Sequence, residues 1–287
     1  MRRSFVVGLV VALVLMLTVP AIALEEFKFD KSKVVAEVEY SMEEKDLDNL
    51  NVLSVNLGGF LNGDLVVVTD DLNLNTTLVK LGYEVAEQAT PYILLGYAQL
   101  DFSQDLNGSI SWPSGGVGTT LLGTEYDQGS FMTGVGMSGN LMEIEGIKFG
   151  YDLRWLRTTG EETDKGLAVL PDLTSINIGN KLEVEYNEVD IAGILSKEID
   201  LRDEEGNAKI VQSVTPFVGY RYSMISLNID SKVNIGPIGI ANETNYEGAN
   251  HSALFGAGIQ VNDDINVKIA GVAGNDLGGS VAVGYSF

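Results

Sequence analysis

The sequence predicts an all-β chain that folds into a transmembrane, antiparallel, up-and-down β-barrel of about ten strands, within a range of about 8 to 12. Two observations carry this prediction. Apolar residues alternate with small or polar residues along many segments, and successive side chains of a strand point to opposite faces. The connections between these segments are short and long in turn, as in barrels with short turns at one end and long loops at the other.

The N-terminus predicts export from the cytoplasm. Two arginines precede an uncharged apolar run from Phe5 to Leu17, and a small-residue cleavage site follows at Ala23. This pattern is typical of a secretory signal peptide, which we place at residues 1–23, with the barrel at residues 24–287. The alternative is a retained anchor, because an apolar run of this length nearly spans a bilayer.

Composition limits the classes of function. The chain has 40 acidic and 18 basic residues and a formal net charge of −22. Because such a surface repels nucleic acid, we expect no nucleic-acid partner. The sequence contains no cysteine, which excludes disulfide bonds and thiol chemistry. The fold must therefore depend on packing and backbone hydrogen bonds.

The segment KVVAEVEY is the candidate for the first strand of the barrel. Its apolar face carries Val34, Ala36, Val38 and Tyr40, and its other face carries Lys33, Glu37 and Glu39. We expect the apolar face to contact lipid. We also expect this strand to pair with the last strand, because lipid offers no water to an unpaired strand edge.

The segment PYILLGYAQLDF has a non-polar residue at every even position from Tyr92 to Phe102. We expect this even face to contact lipid. Its two aromatic ends lie far enough apart to span about 25 Å at a tilt near 40°, which is the height of the apolar band of a membrane barrel. We therefore expect one aromatic residue at each membrane interface.

The segment IKFGYDLRWLR places large apolar residues opposite charged ones. The apolar face runs over the odd positions from Ile147 to Trp155, and we expect the charged face to line the lumen. The same division predicts outward faces at Thr77–Tyr83, Phe131–Met137, Ala253–Ile259 and Val267–Ile269.

The strand count follows from the boundaries of the alternating segments. Strands are expected near residues 33–40, 50–60, 75–84, 91–102, 128–139, 146–157, 179–195, 211–228, 249–261, 265–273 and 277–287. A single-chain bacterial barrel should have an even number. We expect ten, with residues 33–60 counted as one strand; twelve would require a further strand at Leu65–Thr69.

In two of these strands the apolar residues do not stay on one face along the whole strand. Val184 and Tyr186 are out of step with Val189 and Ile191, and a β-bulge near Asn187 would repair the alternation. In the strand near residues 211–228, we expect Arg221 to point inward. Its neighbours Val218, Tyr220 and Tyr222 would then point outward.

The C-terminus carries a resemblance to a known family. The chain ends on VAVGYSF, with Val283, Tyr285 and Phe287 on one face, and this end resembles the C-terminal signature of Gram-negative outer membrane β-barrels. The hairpin from Lys80 to Phe102 resembles the paired strands of the small OmpA/OmpX/opacity-type members. The resemblance implies location in the cell outer membrane, among its lipid and lipopolysaccharide. It also implies that those three terminal residues are read by the barrel insertion machinery.

The predicted barrel places two sets of side chains. The lumen charges are Glu37, Glu39, Lys80, Glu84, Lys148, Asp152, Arg154, Glu183, Glu185, Arg221 and Lys268, and the aromatic girdle is Tyr83, Tyr92, Phe102, Tyr151, Trp155 and Tyr285. Because both signs of charge are present in a narrow lumen, they can pair into a salt-bridged structural core. The alternative is a narrow polar passage that favours cations.

The sequence gives little support to enzymatic chemistry. It contains no P-loop, no G-x-S-x-G turn and no metal-ligand cluster, so we expect no catalytic residue, no cofactor and no metal centre. His251 is the only histidine, and adjacent strand residues such as His251 and Ser252 point to opposite faces. Acidic residues in the predicted outer loops could share divalent cations with lipopolysaccharide.

The function expected from the sequence is therefore a non-enzymatic outer membrane barrel with long acidic extracellular loops. It would act either as a structural or surface-contact protein or as a narrow channel for small solutes. The alternatives are an outer membrane lipid hydrolase and a soluble periplasmic β-sandwich.

Overall fold

A computed structural model describes the backbone at residues 33–46, 49–56, 62–69, 71–86, 88–111, 117–170, 173–202, 210–235 and 238–286. Side chains are described at residues 33–46, 71–86, 88–103, 126–161, 183–202, 210–230 and 245–286. The predicted signal peptide and Phe287 lie outside the described residues. Within the described ranges, no helix is long and apolar enough to cross a membrane.

The described chain is built almost entirely of strands. They are β1 (Val34–Lys45), β2 (Asn49–Asn56), β3 (Asn62–Thr69), β4 (Leu72–Tyr83), β5 (Thr90–Ser111), β6 (Val117–Ile144), β7 (Ile147–Leu170), β8 (Leu173–Lys197), β9 (Ile199–Asp200), β10 (Ser213–Ile235), β11 (Ile238–Gln260), β12 (Ile265–Gly274) and β13 (Asp276–Ser286).

Ten of these strands close into an antiparallel ring, in the order β1-β4-β5-β6-β7-β8-β10-β11-β12-β13. The ring closes where β1 pairs with β13, from Val35 opposite Ser286 to Lys45 opposite Asp276. This confirms the predicted ten-stranded barrel and the predicted pairing of the first strand with the last. The short β9 pairs with β10 outside the ring path.

The strands β2 and β3 extend the ring instead of adding to it. β5 pairs with β4 along Tyr92–Asp101 and with β3 along Gln104–Ser111, so β3 continues the line of β4. β2 pairs with β3 just as β1 pairs with β4. The segments expected within residues 33–60 therefore form one interrupted line, and Leu65–Thr69 adds no separate ring strand.

The two ends of the barrel differ in their connections. At the basal end, where β1 begins and β13 ends, β6 and β7 are joined by the two-residue turn Glu145–Gly146, in which both residues have positive φ. At the distal end the connections predicted as long loops consist largely of strand. β5 runs to Ser111, for example, and β6 begins at Val117.

In the basal half of the barrel, apolar side chains point outward. The inward side chains are polar on strands such as β1, β7 and β10, whereas β4 and β5 also turn apolar residues such as Leu78 and Leu94 inward. On β10, Val218 and Tyr220 are exposed on the outer face, whereas Arg221 is buried inside, as predicted for this strand. The outer face of this half carries an apolar belt of exposed side chains: Val38, Tyr40, Met42, Val79, Leu81, Ile93, Leu95, Tyr97, Phe131, Ile191, Leu195, Val218, Tyr220, Phe255, Ile269, Leu277, Val281, Val283 and Tyr285.

In the distal half the same strands reverse this pattern. Further along β10, Leu227 and Ile229 are buried inside, while Asn228 and the exposed Asp230 face outward. The inward side chains belong to one apolar cluster, which we call the distal core and which extends into the basal half along β4 and β5 through Leu78, Tyr92 and Leu94. Its members are Leu72, Leu74, Leu78, Tyr92, Leu94, Ala98, Leu100, Phe102, Tyr126, Met132, Leu156, Val184, Tyr186, Ile225, Leu227 and Ile229. The distal half is therefore arranged like a protein in water, with a dry interior and a polar surface.

This reversal corrects two predictions. The register of β8 with β7 and β10 is continuous through Asn187, so the predicted bulge is wrong. Val184 and Tyr186 leave the apolar outer phase because they enter the distal core. On β5, the even face from Tyr92 to Phe102 points inward and the odd face outward, opposite to the prediction. Both faces of that segment are apolar, so polarity could not distinguish them.

The reversal predicts that truncating adjacent side chains of β10 has very different effects on stability. Leu227→Ala should lower the free energy of unfolding by about 2–5 kcal/mol, because it leaves a cavity in the distal core. Asn228→Ala, on the outer face, should change it by no more than about 0.5 kcal/mol. Denaturant unfolding of the refolded variants measures both. Equal costs at the two positions would contradict the inward assignment of Leu227.

Candidate functional site

Charged side chains from five strands meet inside the barrel, at the level where its interior changes from polar to apolar. β1 contributes Glu43 and Lys45, β7 contributes Arg154, β8 contributes Glu188 and Asp190, β10 contributes Arg221, and β13 contributes Asp276. We call these seven residues the septum. Each of them occupies an inward position of its strand, so the alternation of the ring brings them together.

Lys45 lies at the centre of three carboxylates. Its Nζ is 2.6 Å from a carboxylate oxygen of Glu43, 2.6 Å from one of Glu188 and 3.5 Å from one of Asp276. The Lys45 side chain is 0% exposed. Because β1 and β8 are not neighbours in the ring, the contact with Glu188 crosses the lumen.

Arg221 makes a second crossing, from β10 to the seam between β1 and β13. Its guanidinium donates to both carboxylate oxygens of Glu43, at 3.0 and 2.8 Å, and to Asp276 at 2.7 Å. The other carboxylate oxygen of Asp276 accepts a hydrogen bond from the Asn250 amide at 2.6 Å. This planar fork fixes the seam against the opposite wall.

The remaining acids of the septum are held by β7, β8 and β10. Asp190 accepts hydrogen bonds from Arg154, at 2.6 and 3.0 Å, and from the Ser223 hydroxyl at 2.6 Å. The Tyr186 hydroxyl donates to Glu188 at 2.8 Å. Each oxygen of the four septum carboxylates therefore accepts at least one hydrogen bond, as buried charge requires.

A small cavity of ≈ 80 Å³ lies on the basal side of the septum. Charged residues including Glu39, Asp152 and Lys268 line part of its wall, and apolar residues such as Phe217 and Leu254 line the rest. We call it the basal pocket. It is too small for a wide pore, so the lumen in this half is a narrow polar space that ends at the septum.

The structure brings several predicted lumen charges to this region. Arg221 and Arg154 belong to the septum, and Glu39 lies 3.6 Å from Arg154. Lys268 lies over the ring of Phe217, at 5.4 Å from its centroid. The other predicted charges lie apart from the septum: Lys80 over the ring of Tyr92, Asp152 beside the Tyr92 hydroxyl, Lys148 paired with Glu198 at 3.4 Å, and Glu37 and Glu84 half-exposed.

The lumen assignment of Glu183 and Glu185 is wrong. Both residues alternate with the inward-facing Val184 and Tyr186, and they lie on the outer face of the distal half. There Glu185 forms an exposed ion pair with Arg157 at 3.2 Å. The prediction failed because it gave this strand a polar interior along its whole length.

The predicted aromatic girdle divides in the same way. Tyr83, Tyr151, Trp155 and Tyr285 lie on the outer face, since they alternate with inward neighbours. Tyr92 and Phe102 are buried inside, so their assignment to the girdle is wrong. Of the predicted insertion signal, Val283 and Tyr285 are exposed on the outer face of β13. Phe287 lies outside the described residues.

Most of the septum residues were not among the predicted lumen charges, although signals for them were present in the sequence. Glu43 and Lys45 continue the inward phase of Glu37 and Glu39, but the first strand was ended at Tyr40. Glu188 and Asp190 alternate with the outward Val189 and Ile191, but they were left out of the predicted lumen charges. Asp276 lies one residue before the expected start of the last strand. Extending each strand in constant phase would have identified these residues.

The arrangement resembles a cation site that is already filled. One carboxylate oxygen from each of Glu43, Glu188 and Asp276 lies within the reach of a single metal ion. The Lys45 ammonium lies among them at the distances given above. The four septum acids are thus paired with three cations of the same chain, which leaves one formal negative charge in excess.

The residues considered for hydrolysis point to opposite faces. His251 is exposed on the outer face, where its ring contacts Tyr222 at 5.0 Å and its Nδ1 is hydrogen-bonded to the Tyr220 hydroxyl. Ser252 is buried inside, where its hydroxyl accepts from the backbone N–H of Asp276. They do not form a nucleophile and base pair.

The septum predicts a large effect of removing one buried cation. Lys45→Met leaves three buried carboxylates short of a charge partner and should lower the free energy of unfolding by about 3–5 kcal/mol. The matched control Lys148→Met removes a half-exposed ion pair and should cost about 0–1 kcal/mol. Denaturant unfolding of the two variants measures both costs. A Lys45→Met variant as stable as Lys148→Met would contradict the charge balance described here.

Comparison with known proteins finds similarity only at the level of structure. No protein-family model and no curated protein matches the chain. Among solved structures, it is similar to the CymD monoaromatic hydrocarbon channel, at 10% identity and a TM-score of 0.32, over 90% of this chain and 89% of that one. It is also similar to the transport unit of the autotransporter AIDA-I from Escherichia coli, at 11% identity and a TM-score of 0.29, over 94% of this chain and 97% of that one. A third similar structure is the translocator domain of the autotransporter NalP from Neisseria meningitidis, at 14% identity and a TM-score of 0.27, over 88% of each chain. The barrel architecture itself follows from this chain's own strand pairing.

Proposed function

We propose that this chain is an integral, non-enzymatic protein of the cell outer membrane. Its lumen is closed at rest by its own side chains, and it acts as a structural or surface-contact protein through the distal half of the barrel. The observation that carries this proposal is the reversal of polarity along single strands. The apolar belt suits lipid, and the polar outer face of the distal half suits water.

The membrane location is supported by the apolar belt on a ring without an open edge. Exposed apolar side chains encircle the basal half, including Val38 on β1, Ile93 on β5, Leu195 on β8 and Val281 on β13. A patch of this extent on a soluble monomer would promote aggregation. Because every ring strand is paired on both sides in this half, its backbone polar groups are satisfied without water.

The closed lumen is supported by two successive layers of buried side chains. The septum crosses the lumen first, and the distal core fills the space beyond it with residues such as Leu72, Leu100 and Leu227. A packed interior of this kind transmits no solute while both layers are in place. The lumen of this barrel therefore favours the structural role over the narrow channel expected as its alternative.

The distal half supports a role outside the membrane. β1 begins and β13 ends at the basal end, which would be periplasmic, and the long strand pairs of the distal half would face the cell exterior. We propose outer membrane lipid and lipopolysaccharide as the contacts of the belt and its outer rim. We propose the insertion machinery as the reader of the C-terminal strand. The same proposal includes contacts between the acidic outer residues and divalent cations. It also includes a likeness to small OmpA/OmpX/opacity-type barrels.

The belt predicts a position-dependent cost of charge on β4. Val79→Arg places a charge in the middle of the belt and should lower the free energy of unfolding from a bilayer by about 2–4 kcal/mol. Asn73→Arg lies on the same face of the same strand but beyond the belt, and should cost at most about 1 kcal/mol. Unfolding from lipid vesicles measures the difference. Equal costs, or release of the wild-type protein from membranes by carbonate, would refute the membrane location.

The closed lumen predicts that the folded protein conducts no ions across a bilayer. The full-length mature protein, inserted into planar bilayers and checked for heat-modifiable gel mobility, should show no steady conductance at low voltage. Steady open channels in the folded wild-type protein would refute the closed lumen and support the channel alternative.

A further inference from the structure

The wall of the basal pocket carries two charged groups of opposite sign that do not pair with each other. On β12, the Lys268 ammonium lies over the ring of Phe217 and forms no ion pair with any described side chain. On β7, Asp152 accepts a hydrogen bond from the Tyr92 hydroxyl, and it too pairs with no cation in the described part of the chain. Both residues line the pocket. The pocket therefore offers an ammonium and a carboxylate to a ligand.

These two groups lie on nearly opposite sides of the lumen. Asp152 and Lys268 occupy inward positions of β7 and β12, which are separated by β8, β10 and β11 on the shorter way round the ring. Each of those three strands contributes an apolar residue to the pocket, namely Ile194, Phe217 and Leu254. The pocket is thus negative at one end, positive at the other and apolar between them.

The pocket is accessible from the basal end of the barrel. Along β8, the inward side chains change from buried at Asp190 and Ala192 to half-buried at Ile194. Along β12 they change in the same direction, from the buried Val272 to the half-buried Lys268. A solute at the basal end can therefore reach the pocket without passing the septum.

Volume and charge limit the ligand. The cavity of ≈ 80 Å³ has room for about three water molecules. Glu39, Asp152 and Lys268 add two carboxylates and one ammonium to the septum, so the excess of negative charge increases. An anion would enlarge that excess, and a cation would lie close to Lys268. A small molecule with one charge of each sign does neither.

We propose that the basal pocket binds a small zwitterion, an amino acid about the size of alanine, which enters from the basal end. Its carboxylate pairs with Lys268, its ammonium pairs with Asp152, and its carbon atoms contact the apolar wall of Ile194, Phe217 and Leu254. Such ion pairs form away from bulk water, where screening is weak. This binding site goes beyond the proposed structural role. It does not depend on the membrane location, because it belongs to the folded barrel itself.

The test measures binding to the full mature protein, refolded in detergent micelles and checked for heat-modifiable gel mobility. Alanine, acetate and methylammonium are titrated separately, and saturation-transfer NMR reports the binding of each. Acetate and methylammonium each carry one of the two charges of alanine. We expect alanine to bind, and each single ion to bind about tenfold more weakly or not at all. Acetate or methylammonium binding as tightly as alanine would refute a site for zwitterions.

Two variants locate the site. Lys268→Met removes the ammonium and should weaken alanine binding by about tenfold or more. Ala270→Leu, at another residue of the pocket wall, reduces the volume and leaves every charge in place, so it should also weaken binding. The matched control is Lys148→Met, because Lys148 is also a lysine of a basal strand but is paired with Glu198. It should bind alanine as the wild-type protein does.

Three results would overturn the proposal. The first is a folded wild-type protein that binds no alanine at millimolar concentration. The second is a folded Lys268→Met or Ala270→Leu variant that binds alanine as tightly as the wild-type protein. The third is a loss of binding in Lys148→Met equal to that in Lys268→Met. Because Lys268→Met and Ala270→Leu change the pocket independently, either folded variant is sufficient for the decision.

Discussion

The pairing of β1 with β13 is the interaction on which the rest of the structure depends. It runs along the whole of β1, from Val35 to Lys45, and converts a sheet with two edges into a ring. Only a ring has an inside that differs from its outside, so each residue acquires a fixed environment from its position in the alternation. The belt, the basal pocket, the septum and the distal core all follow from that division.

The second organising feature is that one strand serves two surroundings. β10 carries Tyr220 outward and Arg221 inward in its basal part, then Asn228 outward and Leu227 inward further along. The backbone geometry does not change between the two parts; only the polarity of the side chains does. The septum lies at the boundary, where paired charges separate a polar interior from a dry one. Its ion pairs cost desolvation, so hydrogen bonding to each carboxylate oxygen is what makes it tolerable.

The sequence predicted the ring better than it predicted the interior. Alternation in Val34–Tyr40 and in the terminal strand identified the closing pair, because one face of each is apolar and the other is not. The count of ten came from the boundaries of all the alternating segments and from the even number of strands in such barrels. The same rule failed on β5, where Ile93 and Leu94 are both apolar, and on β8, where Glu185 was given an inward position. Polarity identifies the lipid face only if the lumen is polar, and no local pattern shows where the lumen becomes dry. Part of the septum was missed for a different reason, since Glu43, Lys45 and Asp276 lie just outside the expected bounds of the first and last strands.

The position of Asp276 and Lys45 has a consequence for assembly. They form the last registered pair of the seam, one from each end of the chain, whereas Glu188 and Asp190 come from its middle. During biogenesis the central acids must therefore persist without Lys45 until the terminal strands meet. The ion network would then be complete only when the two terminal strands have paired along their whole length. An intermediate with incomplete pairing would retain water and unpaired negative charge at the level of the septum.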